Sequence, residues 1–184
     1  LSPVFILINP TGDFFHADGA VKTFATARAA RLLIELYRAA RKACAPVILV
    51  RNVHAPDDKE CAETGGPAHG VAGTSGAEFI PELCELGAWA VPSCGKRRPW
   101  IAVYAWRAGK APMILEKNTL NVATNPALEE LLCGIPAAAE LAVGGLRIAA
   151  RSRRVADVAF VEISRVSRHF GRRRDGDEGR GCEN

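Results

Sequence analysis

The chain has 184 residues, 48% of them apolar when Ala, Cys and Tyr are included, and carries 24 Lys and Arg against 20 Asp and Glu. That is enough apolar mass for one domain with a real core, and with no run of 18 apolar residues the sequence offers no membrane-spanning helix. The excess charge is local: residues 1–146 hold 14 basic and 14 acidic side chains, whereas 147–184 hold ten Arg, no Lys and six Asp or Glu.

Val4-Phe-Ile-Leu-Ile-Asn9 is a continuous apolar run ending in Asn-Pro-Thr-Gly, the pattern of a central parallel strand entering a turn. From Val21 to about Cys44, Phe24, Ala27, Leu32, Leu33, Leu36, Ala40 and Ala43 recur at three or four with Arg and Lys between them, which predicts one amphipathic helix. Pro46 ends it, and Pro46-Val-Ile-Leu-Val50 follows as a second buried strand, completing a β-α-β unit. After a polar exit, Arg51-Asn52-Val53-His54, comes a Gly-rich loop and then His69-Gly70-Val71-Ala72-Gly73-Thr74-Ser75-Gly76-Ala77-Glu78.

Residues 77–86 read as a short helical or irregular segment interrupted by Pro81. Between 88 and 111 aromatic residues crowd around Lys96-Arg97-Arg98, and Trp100 to Trp106 with Pro112 to Leu115 predicts a hairpin or two strands near an edge. Aromatics beside basic residues can stack nucleobases, but a packed hairpin with a solvated turn is the expected reading. Met113 to Glu116 leads to Lys117, a cation at a strand end. Asn125-Pro126 starts a helix, with Glu129 and Glu130 near its N-terminus, that closes at Cys133-Gly134. Glu140 to Gly145 is a short buried strand; Leu146 to Phe160 has helical spacing, and Val158 to Ile163 also suits a strand.

Together these elements predict a three-layer α/β/α Rossmann-like fold with a mainly parallel sheet of five or six strands. The domain spans 1–164 with an insertion at about 88–111, and residues 165–184 form an Arg/Gly-rich tail that is flexible or held by a partner. The six cysteines (44, 61, 84, 94, 133, 182) show no paired spacing, so they are expected to be reduced in an intracellular protein. No basic segment with a cleavage site precedes the first strand, so no signal peptide is visible.

Two of only four histidines, His54 and His69, flank the Gly-rich connection after a buried strand, beside Asn52, Asp57 and Asp58. Open α/β sheets place ligands at such strand ends, which makes this a candidate metal or anion site.

The order strand, loop, long helix, strand, histidine, Gly-Thr-x-Gly-Ala-Glu, strand-Lys, helix, strand-Gly resembles the isochorismatase-like superfamily, which includes nicotinamidases and other cysteine amidohydrolases. The resemblance covers roughly residues 4–145. Asn9-Pro10-Thr11-Gly12-Asp13-Phe14 stands where the family has Asp-x-Gln-x-Asp-Phe, and His16-Ala17-Asp18-Gly19-Ala20 where it has His-x-x-Gly-Ala. Asn52-Val53-His54 matches Asp-x-His, His69 to Glu78 matches the second histidine segment, and Lys117 matches the catalytic lysine.

In such enzymes an Asp takes the proton from a Cys thiol, a Lys holds the charged pair, and the thiolate attacks an amide carbon, since only the thiolate is nucleophilic at neutral pH. The resemblance implies that Asn9 occupies the position of the base. Counting from Gly145, it also implies that Arg151 occupies the position of the nucleophile, with no cysteine between 133 and 182. Of the three, Lys117 alone is retained, and Arg151 would add a second cation that suits an anion better than a neutral amide. The implied metal set is Asn52, His54 and His69, a weak zinc site unless Asp57 or Asp58 joins.

Three functions follow as expectations. One is a pseudoenzyme with a structural or regulatory role among protein partners or in a larger assembly, homo-oligomeric as the resemblance implies. Another is an active amidohydrolase assisted by metal and bound water, with Lys117 as oxyanion partner. The last is a subunit that binds RNA or an acidic surface through its C-terminal Arg residues.

Overall fold

The structure is a computed structural model that describes residues 3–21, 26–58, 67–93, 100–119, 121–133, 135, 140–147 and 158–165. Six strands make one sheet: β1 (Val4–Ile8), β2 (Val47–Asn52), β3 (Trp89–Val91), β4 (Met113–Lys117), β5 (Glu140–Arg147) and β6 (Val158–Arg165), in the order β3-β4-β2-β1-β5-β6. The first five run parallel, and β6 lies antiparallel along β5 from Arg147↔Val158 to Glu140↔Arg165.

Alternation along the central strands divides the core into two faces. Val4, Ile6, Ile48, Val50, Met113 and Leu115 point to one side, against Trp106 of α3 (Trp100–Arg107) and Ala127, Leu128 and Leu131 of α4 (Pro126–Cys133). Leu7, Val47 and Leu49 point to the other, against Leu33, Tyr37 and Ala40 of α2 (Thr26–Lys42). A sheet covered by helices on both faces is the three-layer α/β arrangement expected from apolar strands without polar alternation. A single turn, α1 (Gly12–Phe15), follows β1 and buries Phe14. The chain order leaves β1 leftward to β2 and rightward to β5, so a crevice opens at the C-terminal ends of these strands, where such sheets bind ligands.

Two expectations are corrected. Trp100 to Trp106 forms α3 rather than a hairpin: Ala102, Val103 and Trp106 face the core while Ile101 and Tyr104 face solvent. That is the i, i+3, i+4 spacing of a helix, hidden in the sequence because its outer face is apolar too. The helical reading of Leu146 to Phe160 fails at both ends, since β5 continues through Arg147 and β6 begins at Val158. Its middle, 148–157, lies outside the described residues. Strand β3 was not anticipated, being three residues long with two of them exposed. Among the described residues no helix is long and apolar enough to cross a membrane. Lys96, Arg97, Arg98 and residues 166–184 of the tail lie outside the described residues.

Candidate functional site

Three strand ends bring the sequence-selected residues to one edge. Asn9 follows β1, with its N–H donated to the Val50 carbonyl at 2.8 Å. Asn52 ends β2 and Lys117 ends β4, directly opposite each other in the parallel ladder. All three are buried, Lys117 to 2% exposure and Asn9 to 7%. The Lys117 ammonium donates to the Asn52 side-chain oxygen, and to the Thr119 carbonyl at 2.9 Å. Asn9 is held at φ 55°, a left-handed conformation that Asn tolerates better than most side chains. Its Oδ1 is buried without a hydrogen-bond partner among the described residues, a condition that ordinarily costs stability.

The histidines are joined by a short ladder beyond β2. His54 donates its N–H to the Gly70 carbonyl at 2.8 Å, and Ala72 donates back to the His54 carbonyl at 2.9 Å. Gly70 has φ 60°, and a Cβ there would lie 2.6 Å from the Asn52 Cβ, so only glycine lets this loop close against β2. The ring centroids of His54 and His69 are 5.5 Å apart, and Phe14 meets His69 edge-on at 5.4 Å. His54 Nδ1 lies 3.0 Å from the Asp58 carboxylate, and His69 Nδ1 lies 2.9 Å from the Pro67 carbonyl. Both partners are acceptors, so in each neutral ring Nδ1 carries the hydrogen and Nε2 the lone pair. Burial holds His69 below its ordinary pKa, against the opposing pull of the Pro67 carbonyl, so its neutral form is favoured.

Asp13 and Arg51 hold this edge together. Asp13 accepts from the Gly70 N–H at 2.7 Å and from the Ala20 N–H at 3.3 Å. Gly76 packs so closely on that carboxylate that an added Cβ would lie 2.1 Å from its Oδ1. Arg51 reaches Glu78 at 2.9 Å and Glu116 at 2.8 Å, with its guanidinium 5.6 Å above the Phe79 ring. It thereby ties the Gly-rich segment to the strand that carries Lys117. Phe79 bridges to Thr11, and the Gly12 N–H bonds the Glu78 carbonyl at 2.9 Å, so the same segment is also fastened to the exit of β1.

A buried lysine at the end of one parallel strand, an amide at the ends of two others and a histidine pair on the adjoining loop can be compared with known proteins. N-carbamoylsarcosine amidase from Thermoplasma acidophilum matches over 80% of this chain and 69% of its own, with a TM-score of 0.55 at 20% identity. Nicotinamidase/pyrazinamidase from Bacillus subtilis matches over 79% and 72%, with a TM-score of 0.55 at 21% identity. The pyrazinamidase of Pyrococcus horikoshii, solved in complex with zinc, matches over 80% and 72%, with a TM-score of 0.52 at 18% identity. This chain has the nicotinamidase fold. No protein-family model matches the sequence, and no curated protein matches it.

On the nicotinamidase fold the positions inferred from the motifs gather as follows. Asn9, Asn52, His54, His69 and Lys117 lie at the C-terminal edge of the sheet or on the loop beside it. Arg151 lies outside the described residues. The described cysteines are exposed, and none stands at the C-terminal end of a strand. Cys44 precedes β2, at the opposite end of the sheet from Lys117; Cys84 rests on the Phe79 and Ile80 carbonyls; Cys133 ends α4, seven residues and about 10 Å along from its start. Cys61, Cys94 and Cys182 lie outside the described residues.

Among the described residues the implied zinc set consists of two imidazoles and one neutral amide. The two imidazoles are oriented as metal ligands usually are, each with Nδ1 on an acceptor. The third donor, however, is a neutral amide whose oxygen accepts from an ammonium. Asp58 serves His54, Asp57 is exposed, and among the described residues no group of three His, Cys, Asp or Glu is placed to hold an ion.

Proposed function

We propose that this chain is a catalytically degenerate protein of the nicotinamidase fold, with a structural or regulatory role in place of amide hydrolysis. The observation that carries this reading is Asn9. It occupies the end of β1 where the motif resemblance puts the base, it is buried, and its Oδ1 has no partner among the described residues. A carboxamide oxygen has no basicity near neutral pH, so no thiol facing it would be deprotonated there. The sequence removes the nucleophile independently, since no cysteine lies between Cys133 and Cys182. Groups that act as one unit in catalysis fail together when either is lost, by several orders of magnitude. What remains is a recognition surface: Lys117 as a buried donor, Asn9 as a buried acceptor and a pair of oriented imidazoles.

Ammonia release from nicotinamide, pyrazinamide and N-carbamoylsarcosine by the purified full chain tests this. The expected result is no turnover above buffer, in wild type and in Asn9→Asp alike, because the carboxylate alone supplies no nucleophile. Turnover that disappears in Lys117→Ala would overturn the reading.

A further inference from the structure

We propose that the N-terminal edge of the sheet, at the opposite end from the candidate site, is a docking face for an anionic lipid surface, with Leu86 as the side chain that enters it. Strands β2, β3 and β4 start at this edge, paired at Ile48↔Met113 and Trp89↔Met113. The connections that enter them, 43–46, 84–88 and 108–112, are bound to one another. Arg41, in the last turn of α2, holds the Glu85 carboxylate at 2.8 and 2.9 Å and the carbonyls of Gly109 at 2.6 Å and Lys110 at 2.9 Å. Gly109 in turn packs so closely on the Cys44 carbonyl that an added Cβ would collide with it. Side chains that project from this edge therefore stand on one fixed base rather than on independent loops.

Leu86 is the most exposed of the large apolar side chains described, at 102%, and Trp89 at the start of β3 is 44% exposed. A leucine with no protein surface against it is a peg rather than the wall of a groove. Lys42, Arg107 and Lys110 are exposed around it, while the carboxylate on these connections, Glu85, is already held by Arg41. A bilayer surface suits each of these features: acyl chains accept the leucine, the headgroup layer favours tryptophan, and anionic headgroups attract the cations. A single-stranded nucleic acid would engage the cations and the indole but leave Leu86 in water. A second copy of the chain would bring like charges face to face. One leucine with a few cations gives a reversible contact, no stronger than that of a single acyl chain. This inference is independent of the loss of amide hydrolysis, because it concerns the other end of the sheet.

The test is co-sedimentation of the purified full chain with vesicles of phosphatidylcholine alone and of phosphatidylcholine mixed with phosphatidylserine, at low and at high salt. The chain is expected to bind the mixed vesicles, to bind the neutral ones far less, and to lose most of its binding at high salt. Leu86→Ser should weaken binding to the mixed vesicles roughly tenfold, the scale on which burial of a leucine acts. Lys42→Gln and Lys110→Gln should each weaken it about fivefold. All three positions are exposed, so native circular dichroism is expected in every variant. Leu86 also separates this edge from the Arg-rich C-terminal segment, which is charged enough to attract the same lipids. Binding that Leu86→Ser leaves unchanged belongs to that segment and overturns the proposal. No binding to the mixed vesicles overturns it, as does equal binding to both kinds. So does self-association in sedimentation velocity, or retention of single-stranded RNA, that Leu86→Ser abolishes, since either gives the edge a different occupant.

Discussion

Asn125 is the side chain whose removal should be felt furthest from where it sits. It is 1% exposed and uses both ends of its amide. The Oδ1 accepts from the Ala127 N–H at 3.0 Å and so caps α4, while Nδ2 donates to the Glu116 carbonyl at 2.8 Å and, at longer range, to those of Val91 and Pro92. One residue thus joins the start of α4, the end of β3 and the peptide immediately before Lys117. In Asn125→Ala, loss of the cap costs about 1 kcal/mol, and leaving the buried Glu116 carbonyl without its donor adds about 1–2 kcal/mol. The two longer bonds share the same nitrogen and add little. A total of about 2–3 kcal/mol corresponds to a fall in Tm of roughly 5–10 °C for a chain of this size. Urea denaturation followed by circular dichroism should show the midpoint shifted with the slope unchanged. Asn125→Asp separates the two contributions: it keeps the cap, and its charge suits a helix N-terminus, but it turns a carboxylate toward three carbonyls. The expected result is a loss at least as large as that of Asn125→Ala. An Asn125→Asp protein within about 0.5 kcal/mol of wild type, the ordinary spread of neutral surface changes, would refute the claim that the tie between β3, β4 and α4 matters more than the cap.

Two further outcomes follow from the same edge-by-edge reading. Cys44 ends α2 at φ 50° with the Ala45 N–H reaching back to the Ala40 carbonyl at 2.9 Å, a helix terminus that favours glycine. Cys44→Gly should therefore raise stability by about 1 kcal/mol, read as a higher urea midpoint, whereas Cys44→Ala should not. At the same end of the sheet, Glu85 is gripped by Arg41 at 2.8 and 2.9 Å and by the Tyr37 hydroxyl at 2.6 Å. Burial raises its pKa, but these bonds outweigh burial and hold the carboxyl below its ordinary value, so the folded state binds its proton less readily than the unfolded state. The stabilisation is then complete above about pH 4.3, the unfolded value, and is lost as the pH falls through the folded one. Arg41→Met should flatten that acid limb of the stability profile; an unchanged limb would show that the clamp contributes nothing there.

How much of this was legible in the sequence depends on the range of the interaction. Strands β1, β2, β4 and β5 were readable because strands covered on both faces need apolar residues at nearly every position. Helix α2 was readable because its polar face repeats with the helical period. Helix α3 was not, because Ile101 and Tyr104 remain exposed on its outer side and mask that period. The site followed the same rule. Lys117, Asn52 and His54 stand next to strand ends, where position along the chain nearly fixes position in space. Asp13 and Gly70 are 57 residues apart, and Arg51 and Glu116 are 65 apart, so no local pattern announces that they meet. Asn125 was visible as a helix start, but its donations to β3 and β4 depend on a strand too short and too exposed to recognise.

The side chain at position 9 is chemically isolated from the scaffold around it. The backbone there is left-handed, a conformation that Asn and Asp both accept more readily than other side chains, so the amide can stand where a carboxylate would without disturbing β1 or the Val50 bond. The surrounding ties are complete: Asp13 on Gly70, Arg51 on Glu78 and Glu116, Phe79 on Thr11. Spontaneous conversion to a carboxylate is hindered, because an Asn usually deamidates through attack by the N–H of the next residue, and Pro10 has none. The local backbone therefore suits an amide or a carboxylate at position 9 alike, and Pro10 closes the common chemical route from the one to the other.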